Sequence, residues 1–207
     1  MKRRLLTFLL AWGLSASSAL AGPMINIGIH SLAPNMQNQV IAIPVTGGNA
    51  VQGLNLLVQI GDGGLALGGT YSSAPRIQDI SITAGTIFAS NNTGRIFDEP
   101  ATDQFWAIHT TTSSGTVSAT GTLALLTVDT SGFTQGSFPL LLADIAGDAN
   151  SDTDFAGVPA TIINGSINVP EPGTCLLFWI PIATIRGRRT LPRLLRSHAK
   201  GHVSAQQ

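Results

Sequence analysis

One short stretch of the middle region concentrates side chains that could hold a metal ion. The segment Asp-Ala-Asn-Ser-Asp-Thr-Asp carries an oxygen-bearing side chain at every second position, namely at Asp148, Asn150, Asp152 and Asp154. Carboxylate and amide oxygens at this spacing can surround a hard cation, so the four residues are candidate ligands for weakly bound calcium. An EF-hand loop would need glycine and glutamate where this chain has Thr153 and Pro159, and a turn built on Asx side chains is the alternative.

The other reactive side chains form no catalytic pattern. His30 and His109 lack the further ligands of a zinc site, and the sequence contains no nucleophile elbow, P-loop or dinucleotide-binding glycine motif. The adjacent Phe105 and Trp106 are compatible with core packing and with a sugar-stacking platform. Cys175 is the single cysteine, which excludes an intramolecular disulfide. We therefore expect no enzyme activity, and no cofactor other than the weak calcium considered above.

The charge distribution excludes one class of partner. Residues 22–169 contain two arginines and ten acidic residues, which gives this region a net charge of −8. A region this acidic repels the phosphates of nucleic acids, so nucleic-acid binding is not expected.

The first 21 residues have the three parts of a secretory signal peptide. A basic start at residues 2–4 precedes an apolar stretch over residues 5–14, and small residues follow at Ala19 and Ala21. The apolar stretch is too short to span a bilayer as a helix. We expect cleavage after Ala21.

The middle region is predicted to consist of short strands separated by turn residues. In residues 53–60 Leu54, Leu56, Val58 and Ile60 alternate with less apolar positions, which predicts one face toward a core and one largely toward solvent. The predicted strands cover residues 25–29, 40–45, 53–60, 77–83, 104–111, 121–128, 138–143, 160–163 and 166–169. Asn164-Gly165 is the preferred pair for a two-residue type I′ turn, so the last two strands are predicted to form a tight hairpin.

The chain changes character after Val169. Pro170, Glu171 and Pro172 form a stiff extended segment, an apolar run follows from Cys175 to Ile185, and a basic cluster comes next at Arg186, Arg188 and Arg189. The apolar run would enter the membrane, and the arginines would keep its far end in the cytoplasm.

This order of proline-flanked glutamate, apolar segment and arginine cluster resembles the PEP-CTERM sorting tail of bacterial surface proteins. The resemblance implies recognition and processing by an exosortase near residues 170–172. The apolar run is short for a membrane span and contains Pro181, and a proline-containing linker before an ordinary tail anchor is the alternative.

Three segments of the middle region resemble cohesin-like modules: Ile41-Ala42-Ile43-Pro44-Val45-Thr46, Val51-Gln52-Gly53-Leu54-Asn55-Leu56, and the stretch from Gly121 to Val128. The resemblance implies an all-β, two-sheet, jelly-roll-like β-sandwich. In that family one sheet face binds dockerin modules or carbohydrate-linked partners.

The expected organisation is a signal peptide (1–21), a β-sandwich domain (22–169), a sorting tail with a membrane helix (170–189) and a basic flexible tail (190–207). We expect a secreted protein that passes through the inner membrane to the cell surface or extracellular matrix, with a structural or interaction role. Its expected partners are an exosortase and an extracellular polysaccharide or another surface protein. A carbohydrate- or calcium-dependent binding module is the alternative.

Overall fold

A computed structural model of the chain describes residues 22–98, 103–145 and 152–172, and this part is all-β apart from one short 3-10 helix. The strands are β1 (Met24–Asn26), β2 (Ile29–Ser31), β3 (Gln39–Thr46), β4 (Gly53–Ile60), β5 (Arg76–Ser81), β6 (Ile96–Phe97), β7 (Phe105–Thr111), β8 (Gly121–Asp129), β9 (Gly136–Leu141), β10 (Asp154–Phe155), β11 (Val158–Pro159), β12 (Thr161–Ile163) and β13 (Gly165–Val169). The 3-10 helix spans Gly64–Leu67. The predicted signal peptide and the chain beyond Pro172 lie outside the described residues.

Within the described ranges the strands form two sheets. The five-stranded sheet has the order β12-β1-β3-β8-β5, and the eight-stranded sheet has the path β11-β10-β4-β9-β13-β2. Strand β7 pairs with β4, and β6 pairs with β7. The prediction of a two-sheet, all-β architecture is confirmed.

The hydrophobic core lies between the two sheets and follows from strand alternation. In β3 the side chains of Ile41, Ile43 and Val45 are buried while the positions between them are exposed. In β4 the inward residues are those predicted from the sequence: Leu54, Leu56, Val58 and Ile60.

The first predicted strand, over residues 25–29, is in fact divided between the two sheets. Gly28 has a φ of 75°, a left-handed conformation that glycine adopts without a steric penalty, and the chain changes direction there. As a result β1 lies in the five-stranded sheet and β2 in the eight-stranded sheet.

The predicted hairpin at Asn164-Gly165 is wrong. Strand β12 pairs in parallel with β1, and β13 pairs in parallel with β2 and antiparallel with β9, so residues 164–165 carry the chain from one sheet to the other. Gly165 is required by close approach rather than by positive φ, because a Cβ there would collide with the Gly28 carbonyl oxygen and Ile27. An Asn-Gly pair can therefore stand in a type I′ hairpin turn or at a crossover between two sheets, and local turn preference alone does not distinguish the two.

We predict that Gly165→Ala lowers the free energy of unfolding by about 3 kcal/mol, because the clash is with backbone and cannot be relieved by a rotamer change. Urea unfolding of the variant measures the loss. Ser166→Ala, at the neighbouring half-buried position, is the control and should change stability by less than about 0.5 kcal/mol. Equal stability of the two variants would show that the crossover tolerates a side chain at Gly165.

Candidate interaction surface

Strands β4 and β7 lie side by side in the eight-stranded sheet and contribute to its outer face. These strands are antiparallel, with Leu57 opposite Ala107 and Gln59 opposite Phe105. Because successive side chains point to opposite faces, these four residues point away from the core that Val58 and its neighbours fill.

Several of the outward positions are apolar and covered, which is unusual for the solvent side of a sandwich. Phe105 and Ala107 are only 7% and 8% exposed, although they do not face the core between the sheets. They belong to a second cluster, called here the outer apolar cluster, which consists of Phe105, Ala107 and Ile145 with the partly buried Leu57, Leu67 and Leu141. The three central residues of this cluster are therefore covered, whereas Leu57, Leu67 and Leu141 stay partly exposed.

A buried threonine holds the chain near Ile145 to this face. The Thr153 hydroxyl accepts a hydrogen bond from the Leu57 backbone N–H (3.0 Å) and donates one to the Leu57 carbonyl (3.2 Å). The Thr153 N–H donates to the Leu142 carbonyl (3.0 Å), and the Asp144 N–H donates to Asp152 Oδ1 (2.9 Å). These bonds satisfy backbone groups of β4. They also hold residues 142–144 next to residues 152–153, the two ends of the loop between β9 and β10.

An aspartate positions the 3-10 helix that supplies Leu67. Asp62 accepts hydrogen bonds from the Ser73 hydroxyl (2.5 Å), the Gly64 N–H (3.0 Å) and the Thr70 N–H (3.2 Å). The bond from Ser73 is the main cause that lowers the pKa of Asp62, and the bond from Gly64 adds to it. A lowered pKa in the folded state means that the stabilisation is present when the carboxylate is ionised and is lost as the pH falls through that pKa.

The rim of the outer apolar cluster is polar and acidic. The His109 Nδ1 atom lies 2.6 Å from Asp98 Oδ1, and the Asn55 amide donates to Asp154 Oδ1 (3.0 Å). Ile96 pairs with His109 and is 49% exposed. This edge therefore carries carboxylates beside an open apolar side chain.

The two arginines of the domain are engaged elsewhere. Arg95 contacts Asp79 and the Ile80 carbonyl on the five-stranded sheet, with its guanidinium over the Phe97 ring. Arg76 lies over the Tyr71 ring. Among the described residues, neither arginine forms an ion pair with Asp98 or Asp154.

Comparison with solved structures gives the architecture a name. The sixth cohesin from scaffoldin B of Acetivibrio cellulolyticus, solved in complex with a mutant Cel5 dockerin, superposes with a TM-score of 0.50 at 13% identity, covering 72% of this chain and all (100%) of that one. The seventh ScaB type I cohesin from Pseudobacteroides cellulosolvens also gives a TM-score of 0.50 at 13% identity, covering 86% of this chain and 100% of its own. The described domain has the cohesin fold. Neither a scan against protein-family models nor a search of curated protein sequences finds a match.

The cohesin-like domain places only part of the predicted calcium group in the described structure. Asp152 Oδ1 accepts the Asp144 N–H, and Asp154 Oδ1 accepts the Gly157 N–H and the Asn55 amide, which are bonds that organise turns. Asp148 and Asn150 lie outside the described residues. Among the residues that are described, no group of three His, Cys, Asp or Glu side chains is close enough to hold a metal. Calcium binding stays a prediction.

Trp106 belongs to the inner core rather than to an open platform. It is 9% exposed, and its ring meets Phe97 edge-on with the centroids 5.3 Å apart. The partner aromatic residue, Phe105, lies on the opposite face in the outer apolar cluster. A sugar-stacking platform needs an open ring face, and this arrangement of the two residues favours the packing interpretation.

The predicted sorting residues are partly described. Pro170, Glu171 and Pro172 are exposed and follow directly after β13. The cleavage-site residues and the basic cluster lie outside the described residues: Ala19, Ala21, Arg186, Arg188 and Arg189. No helix within the described ranges is long and apolar enough to cross a membrane.

We predict that Thr153→Val lowers the free energy of unfolding by about 1–3 kcal/mol, because it leaves both hydrogen-bonding groups of Leu57 without their partner. Thr127→Val, a change of the same type on the outer face of the five-stranded sheet, is the control and should stay within about 0.5 kcal/mol. Chemical denaturation of both variants checks the difference. Wild-type stability of the Thr153 variant would mean that the loop is not held by this contact.

Proposed function

We propose that this chain is an exported, non-enzymatic protein of the cell surface or extracellular matrix, whose cohesin-like domain binds another protein. The binding surface in this proposal is the outer face of the eight-stranded sheet. The outer apolar cluster with its acidic rim is the observation that carries it.

The chemistry of this face defines the partner. Protein interfaces combine a desolvated apolar centre with a polar rim, and the partly exposed Leu57, Leu67 and Leu141 of the outer apolar cluster provide such a centre. Asp98 and Asp154 lie on the rim, so a complementary partner offers apolar side chains in the middle and basic side chains around them. The Acetivibrio cohesin of the same fold was solved with a dockerin, which supports protein binding by this architecture.

The ends of the sequence support export and sorting. Residues 1–21 have the pattern of a signal peptide, and residues 170–189 resemble a PEP-CTERM tail. In this proposal an exosortase recognises Pro170, Glu171 and Pro172 while the apolar run and the arginines hold the chain in the inner membrane. Processing then delivers the domain to the surface.

We predict that a photo-reactive amino acid at position 57 in the native host gives a discrete cross-linked protein, whereas one at position 42 gives none. Position 42 lies on the exposed side of β3 in the other sheet. Ile96→Lys should reduce the yield at position 57 at least about tenfold, because it sets a positive charge on the rim against the basic side chains of the partner.

Val40→Lys is the matched control, since Val40 is 61% exposed on the five-stranded sheet. Its yield should equal that of the wild type. Cross-links from position 42 without any from position 57 would place the interaction on the wrong sheet and contradict the proposal. Binding to a glycan array that survives Ile96→Lys would favour a carbohydrate-binding module instead.

For sorting, we predict that replacing Pro170, Glu171 and Pro172 together by alanine leaves export intact and abolishes processing. The alanines remove the stiff segment and its charge but retain the membrane-directed run and the arginines. The variant should accumulate in the inner membrane, as measured by fractionation and intact mass. Release with the C-terminus of the wild type would show that the tail is an ordinary anchor.

A further inference from the structure

Asn164 is held by its side-chain amide at the point where the chain crosses between the sheets. Its Oδ1 atom accepts hydrogen bonds from the Leu142 N–H (2.9 Å) and the Ala143 N–H (3.3 Å). Its Nδ2 atom donates to the Ala143 carbonyl (2.9 Å). Both ends of the amide are therefore bound to one backbone segment after β9.

Gly165, the residue after Asn164, makes the Asn164 side chain prone to attack by the backbone. In a flexible chain the backbone nitrogen of residue 165 can attack the Asn164 side-chain carbonyl carbon, and glycine offers no side chain to hinder the attack. A carbon–nitrogen bond forms to close a succinimide ring, the nitrogen loses its proton to solvent, and the bond to Nδ2 breaks to release ammonia. Water then opens the ring at either carbonyl, which gives aspartate or isoaspartate.

We propose that Asn164 is a site of spontaneous deamidation that the folded crossover blocks and the unfolded chain leaves open. The nitrogen that must leave as ammonia is donating a hydrogen bond in the folded domain. The carbonyl carbon can reach the ring geometry only after the side chain leaves the Leu142 and Ala143 backbone groups. Reaction therefore requires opening of the crossover.

Either product, aspartate or isoaspartate, prevents the crossover between the two sheets from forming. An aspartate at this position has no N–H for the Ala143 carbonyl and sets a carboxylate oxygen against it. An isoaspartate adds a carbon to the main chain just before Gly165, where Gly28 and Ile27 leave no room for even a Cβ. The register of β13 with both its neighbours depends on this step. A chain that stays unfolded therefore progressively loses the ability to fold.

The test uses the full chain, incubated at mildly alkaline pH with and without urea, followed by peptide mass mapping. Deamidation at Asn164 should be at least about tenfold slower in the folded protein. A reaction that requires local opening proceeds in proportion to the fraction of molecules that are open. Asn49, exposed in the loop between β3 and β4, is the internal control and should react at similar rates in both conditions. Equal rates at Asn164 with and without urea would overturn the protection.

The second arm removes urea from the aged chain and separates protease-resistant from protease-sensitive material. Modified Asn164 peptide should be found almost entirely in the sensitive fraction, and the resistant yield should fall in step with modification. Asn164→Asp, made genetically, should give the same sensitive product without ageing. An even distribution of modified peptide between the fractions, or a stable Asn164→Asp variant, would overturn the claim that the product cannot fold.

Discussion

The parallel pairing of the first and last segments of the β-domain is the constraint on which the rest of the structure depends. Both segments leave the five-stranded sheet and enter the eight-stranded sheet at the same level, where the Ile27 N–H donates to the Ile163 carbonyl (3.1 Å) and the Ser166 N–H to the Gly28 carbonyl (3.0 Å). The two segments approach so closely that Gly165 has no space for a side chain. Each sheet therefore contains a strand from both ends of the domain, and the two sheets are joined by the main chain twice at one place.

The outer face of the eight-stranded sheet carries apolar side chains that need cover of their own. Apolar side chains on the outward positions of β4 and β7 cannot reach the inner core, so two loops partly cover them. Each loop is held by one polar side chain, Thr153 or Asp62, whose hydrogen bonds go mainly to backbone groups. Under the proposed function, a surface ordered in this way before binding would lose less conformational entropy when a partner binds. The same arrangement that stabilises the loops thus suits an interface.

The sequence predicts the interior better than the surface. Alternation in β3 and β4 identifies the buried residues because burial on one face imposes the period directly. Leu57, and four consecutive apolar residues at 105–108, signal burial on both faces, but which loop covers the second face depends on distant contacts. The crossover at Asn164 was predicted as a hairpin because local turn preference cannot show that the following strand pairs in another sheet. The sorting role of the proline-flanked segment stays a prediction, because it rests on the residues alone.

The terminal pairing also sets the order in which the domain can form. Residues 24–26 pair with residues 161–163. This contact joins segments at the two ends of the domain, so forming it closes a long loop. Most contacts in such a topology are non-local, and domains of this kind fold slowly for their size. When the chain emerges N-terminus first, β1 has only β3 as a neighbour until β12 follows, and β2 has no strand to pair with until β13 follows. Both sheets can therefore be completed only when the chain has emerged as far as Val169, the residue directly before Pro170.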